Sequence, residues 1–62
     1  MKNYSSKEIL KILEEDGWYI TNIKGSHHQL KHHTKPGKVT LPHPKKQLPT
    51  GTVKSIFKQA GL

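Results

Sequence analysis

The sequence predicts an α+β fold in the order α-β-β-β-α, a three-stranded antiparallel sheet with two helices on one face. Three observations predict it. Each end of the chain carries an apolar stripe of helical period. The roughly thirty residues between the stripes have strand character broken by Gly and Pro turns. The connections between strands are of hairpin length, which makes the sheet antiparallel.

The first helix begins at Tyr4-Ser5-Ser6-Lys7-Glu8-Ile9. Ser5 as N-cap and Glu8 three residues on form a capping box, and Tyr4 can staple onto Ile9. Ile9, Leu10, Ile12 and Leu13 supply the stripe, and Gly17 ends the helix as a C′ residue. Trp18 to Ile23 follows as a first strand, Lys24-Gly25-Ser26 as a turn, and His27 to His33 as a second strand. Lys35-Pro36-Gly37 is a second turn and Lys38 to Leu41 a third strand. Pro42-His43-Pro44 cannot continue a central strand and opens the loop to the last helix. There Thr50 is the expected N-cap, and Val53, Ile56, Phe57 and Ala60 line one face. Gly61 as C′ lets Leu62 fold back on Phe57.

Two helices cover only one face of such a sheet, so the other meets solvent. Side chains alternate between faces with a period of two. Leu30 is the sole aliphatic residue of the second strand, so it points inward with His28 and His32 on its side. His27, Gln29, Lys31 and His33 then share the open face. Val39 and Leu41 point inward, Lys38 and Thr40 outward. In the first strand Trp18 and Ile20 share one face and Tyr19 and Ile23 the other, without a signal for which is inner.

With 62 residues the chain makes one domain, residues 1–62, with a thin core. It has no cysteine, which rules out disulfides and zinc-thiolate sites and fits a reducing cytoplasm. Its longest apolar run is Trp18-Tyr19-Ile20, too short for a signal peptide or a membrane span. A large cofactor-binding enzyme is excluded by size.

The net charge of +7 is unevenly placed. All four acids, Glu8, Glu14, Glu15 and Asp16, lie in the first helix region, whereas from Gly17 onward eight lysines stand without a carboxylate. A one-signed field of this kind attracts polyanions, and lysine–phosphate contacts with counterion release give sequence-independent affinity for nucleic acid. Neither helix reads as a basic amphipath with a broad aromatic face, so a membrane surface is the poorer fit.

Five histidines, His27, His28, His32, His33 and His43, raise the question of a metal. Neighbouring histidines on a strand point to opposite faces, and no carboxylate in this region completes a site, so no metal is expected. His32, His33 and His43 read as surface residues without a chemical role, with His43 in a loop as a phosphate contact at most. His27 differs, because it follows the Gly25-Ser26 turn on the open face with Lys24 and Lys31 near it in sequence. RNA can be cut without metal, since its own 2′-hydroxyl attacks the adjacent phosphate. The protein then needs a group of pKa near 7 to move a proton, which histidine supplies, and cations for the phosphorane, which lysine supplies.

Several motifs resemble one family. Asp16-Gly17-Trp18, Lys24-Gly25-Ser26-His27-His28, Val39-Thr40-Leu41-Pro42-His43-Pro44, and Gly51-Thr52-Val53-Lys54-Ser55-Ile56 through Ala60-Gly61-Leu62 are similar to those of the HicA toxins. The resemblance spans nearly the whole chain. It implies a fold like that of the double-stranded-RNA-binding domain. It also implies the toxin half of a bacterial toxin–antitoxin pair, acting in the cytoplasm as a metal-independent, cofactor-free endoribonuclease on mRNA. The implied partner is a HicB antitoxin. The family's catalytic histidine falls in the Gly-Ser-His motif, here at His27, with His28 as the neighbouring second candidate. Around it Lys24, Ser26 and Lys31 are expected to meet RNA, and Lys45, Lys46 and Lys54 to track its backbone. Ordinary double-stranded-RNA-binding domains carry a lysine cluster at the start of the last helix. Here that stretch is Pro49-Thr50-Gly51-Thr52-Val53, so duplex binding does not follow from the likeness. A non-catalytic RNA-binding module with the same basic face is the alternative.

Overall fold

A computed structural model describes residues 3–62, and its elements follow the expected order. Helix α1 runs Ser6–Glu15, strands β1, β2 and β3 run Trp18–Lys24, His27–His32 and Val39–Pro42, and helix α2 runs Thr50–Ala60. The sheet has the order β1-β2-β3, antiparallel throughout.

Local chemistry sets the helix ends. At α1 the Ser5 side chain accepts from the Glu8 backbone N–H at 3.2 Å, and the Glu8 carboxylate accepts from the Ser5 N–H at 3.0 Å, which completes the capping box. Tyr4 is half-buried against the core and meets Phe57 of α2 edge-on, ring centroids 5.7 Å apart, so it joins the two helices. Helix α2 starts one residue earlier than expected. Pro49 is the N-cap and its carbonyl accepts from Val53 N at 3.0 Å, so Thr50 already lies in the first turn. The far end is a Schellman motif: Leu62 N–H donates to Phe57 O at 2.8 Å and Gly61 N–H to Lys58 O at 3.2 Å.

One face of the sheet is closed by both helices. Ile9 and Leu13 from α1, Val53, Ile56 and Ala60 from α2, and Trp18, Leu30, Val39 and Leu41 from the strands form one buried cluster. Leu48, in the loop before α2, completes it, its N–H bonded to Tyr4 O at 2.8 Å. The ladder confirms the expected parity of β2 and β3, pairing Leu30 with Val39 and His28 with Leu41 on the inner side.

Strand β1 departs from simple alternation. Trp18 and Ile20 face inward opposite His32 and Leu30, and Tyr19 faces outward opposite Lys31. A bulge between Ile20 and Asn22 then leaves Thr21 unpaired, and its hydroxyl donates to Gln29 O at 3.2 Å. The extra residue moves Ile23 from Tyr19's side to the helix side, opposite His28. Ile23 nevertheless stays 57% exposed, because it lies at the end of the ladder next to the β1–β2 turn.

Candidate functional site

The open face of the sheet carries polar residues from all three strands. Gly25 and Ser26 form a two-residue turn, which puts Lys24 and His27 opposite each other at the first rung of the hairpin. Pro42 of β3 flanks His27 on its other side. Asn22, Gln29 and Thr40 form the next rung, and Tyr19 and Lys31 lie further along. His27, Lys24 and Lys31 are exposed. Directly opposed residues in such a ladder have Cβ atoms about 5 Å apart, so one phosphate can meet both His27 and Lys24. Lys31 lies four residues along the strand from His27, about 13 Å away, and serves a different part of any extended ligand.

His28 occupies a different environment. It is half-buried on the helix side, its ring set edge-on to His43 at 5.0 Å between centroids. Its Nδ1 is buried and has no hydrogen-bond partner among the described residues. His43 in turn has Nδ1 at 2.6 Å from the Ser6 hydroxyl. Ser6 is 1% exposed and is bound three ways to Lys45: its N–H and its hydroxyl bond to Lys45 O, and its oxygen accepts from Lys45 N at 2.7 Å. The His43 backbone N–H also donates to Ser26 O at 2.7 Å. These contacts pin the loop after β3 against the start of α1 and against the turn that precedes His27. His43 is therefore a structural residue, which corrects its reading as a surface loop histidine.

The remaining lysines expected to meet RNA are dispersed. The Lys45 backbone is held at the N-terminus of α1, and Lys46 follows it in the same loop; both side chains are exposed. Lys54 is exposed on α2. Helices and loop lie on the layer opposite the open sheet face, so the structure joins Lys24 to His27 and leaves Lys45, Lys46 and Lys54 elsewhere.

His32 also proves structural. Its Nδ1 accepts from the backbone N–H of Thr34 at 3.0 Å and of Lys35 at 3.1 Å, so the proton sits on Nε2, which donates to Asp16 O at 2.5 Å. Its ring packs edge-on against Trp18. Parity had already put His32 on Leu30's side, but its partners are backbone groups that no motif advertises. Lys35 is not unopposed either: its ammonium donates to the Asp16 carboxylate at 2.6 Å and to Ala60 O at 3.1 Å, tying the ends of α1 and α2 together. The Lys35 hydrogen bond is the main reason the Asp16 carboxyl is held below its usual range, aided by Lys35's charge and the Trp18 indole N–H and opposed by desolvation. Lys24, Lys31, Lys38, Lys45, Lys46, Lys54 and Lys58 remain exposed, without an ion pair among the described residues.

Among the described residues no three histidine or carboxylate side chains converge as metal ligands, and no helix is long and apolar enough to cross a membrane.

Fold and surface together define a small basic α+β module whose sheet offers one uncovered polar face. The family model for the HicA toxin of bacterial toxin–antitoxin systems matches residues 6–62. The chain belongs to the HicA toxin family, and its role is that of a toxin in a toxin–antitoxin pair. No curated protein matches it.

Proposed function

We propose that the protein is an endoribonuclease that cleaves mRNA without a metal cofactor, with His27 as its proton-transfer group, and that a HicB-type antitoxin neutralises it. The observation that carries this reading is the Lys24–His27 pair at the mouth of the hairpin, exposed on the open face of a family toxin. The 2′-hydroxyl of the bound strand attacks the neighbouring phosphorus, the P–O5′ bond breaks, and the products are a 2′,3′-cyclic phosphate and a free 5′-hydroxyl. His27 moves one of the two protons, taking it from the 2′-hydroxyl or giving it to the leaving oxygen. Lys24 offsets the charge that builds on the phosphorane. No carboxylate occurs from residue 17 onward, so the second proton goes through lysine, the substrate or water, and turnover is modest.

His28, turned toward the helices, is assigned to packing rather than chemistry in this reading. Lys31 extends the phosphate track on the open face, and Ser26 lends the turn its backbone. The seven exposed lysines after Gly17 add electrostatic affinity for polyanions. Incubation with single-stranded RNA in excess chelator is the test. Fragments ending in 2′,3′-cyclic phosphate are expected from the native chain and not from His27→Ala. Intact RNA that is nonetheless bound by the native chain would replace this reading with the non-catalytic binding module.

A further inference from the structure

The open face carries one feature that proton transfer does not use. Tyr19 and His33 lie ring against ring, centroids 4.7 Å apart and tilted by 30°. Tyr19 is 41% exposed, and of the three exposed large apolar residues among the described residues it alone lies on this face: Ile23 is on the helix side and Leu62 just past the end of α2. Lys31 stands directly opposite Tyr19 in the ladder, exposed and unpaired. An aromatic ledge beside a free ammonium, on a face with no carboxylate in its strands, suits a nucleobase and its phosphate.

We propose that Tyr19 and His33 form a stacking platform for one base of single-stranded RNA, with Lys31 holding the adjoining phosphate. The inference rests on the RNA reading above and deepens it. The Tyr19–Lys31 rung of the platform lies about 13 Å along the sheet from His27, and His33 lies further still. The stacked base is therefore not at the scissile phosphate but in a neighbouring subsite, where it sets the register of the strand over His27. A duplex cannot use the platform, because its bases are already stacked on one another. The face therefore selects single strands.

The test is binding of a short single-stranded RNA, followed by fluorescence anisotropy in the His27→Ala background so that the RNA stays intact. Tyr19→Leu is expected to weaken binding on the order of tenfold and Tyr19→Phe to retain it, since a stacked base needs the ring and not the hydroxyl. An abasic substitution scanned along the RNA should cost a similar factor at one position, and that cost should vanish in Tyr19→Leu. The salt slope should stay unchanged in Tyr19→Leu and fall by about 0.7 in Lys31→Gln. A flat abasic scan on the native ring, with Tyr19→Leu binding as tightly as its parent, overturns the platform while leaving the ribonuclease reading intact. Loss of affinity in Tyr19→Leu for an antitoxin protein but not for RNA also overturns it, and makes the face a protein interface. Absence of any RNA binding by the parent overturns both.

Discussion

Gly17→Ala should be the most damaging of the glycine-to-alanine changes in this chain. Gly17 has φ of +105°, and a Cβ built there would lie 2.7 Å from His32 Nε2 and 3.2–3.3 Å from two ring carbons. The left-handed backbone alone costs an L-residue about 1–3 kcal/mol. The imidazole has no room to give, because Nε2 is bonded to Asp16 O and Nδ1 receives two backbone N–H groups. Displacing it forfeits hydrogen bonds of about 0.5–1.5 kcal/mol each, so roughly 2–4 kcal/mol is added to the backbone strain. A domain of this size has about 3–9 kcal/mol in total, so the variant should lose most of its stability. Gly37→Ala is the control, since it too has positive φ (+83°) but open space around the added methyl. Urea unfolding followed by the fluorescence of the single, buried Trp18 measures both, with sucrose added if Gly17→Ala lacks a folded baseline. A Gly17→Ala cost no larger than that of Gly37→Ala would refute the role given to His32.

Three further predictions follow from the same contacts. The Asp16 carboxyl is held low chiefly by the Lys35 hydrogen bond, so its stabilisation is complete above about pH 4 and is lost as pH falls through the lowered folded value; Asp16→Asn should flatten the decline in urea midpoint between about pH 5 and 2, and parallel curves would contradict it. Ser6→Ala removes the acceptor of the Lys45 N–H and the partner of His43, and should cost about 1–3 kcal/mol in thermal or urea unfolding, against about 1 kcal/mol for the exposed cap change Ser5→Ala. Lys45 and Lys46 lie beside the start of α1 and away from the open sheet face, so replacing both with glutamine should leave the salt slope of RNA binding nearly unchanged, and a fall approaching about 1.4 log units per log salt would place them in the interface after all.

Much of this architecture was legible in the residues because each signal was local. Ser5 and Glu8 cap α1 within one turn, and the Val53-Ile56-Phe57-Ala60 spacing marks the buried side of α2. One aliphatic residue, Leu30, was enough to orient β2 and hence to separate His27 from His28. The bulge at Thr21 left no such mark, since Thr21 and Asn22 fit either parity, and Ile23 was misplaced as a result. His32 and Lys35 were misread for another reason. The His32 ring is held at Nδ1 by the backbone N–H groups of Thr34 and Lys35, while its Nε2 and the Lys35 ammonium reach Asp16 and Ala60, distant in sequence; all but the Asp16 carboxylate are backbone groups that any residue type could offer. Ser6 looked like an ordinary first-turn serine, and only the return of Lys45 over α1 buries it. The platform of Tyr19 and His33 required the β1–β2 register, which turn chemistry suggests but does not fix.

The most direct test of the central claim is the cleavage rate of His27→Ala beside His28→Ala, with the thermal midpoint of each recorded on the same samples. His27 is exposed and packs little, so His27→Ala should keep its stability within about 0.5 kcal/mol while losing about 10²–10⁴-fold in rate. His28→Ala removes a half-buried ring packed on His43 and should lose about 1 kcal/mol of stability while still cutting RNA. A stable but inactive His28→Ala, or two variants that both cleave at the native rate, would contradict the assignment of the chemistry to the open face of the sheet.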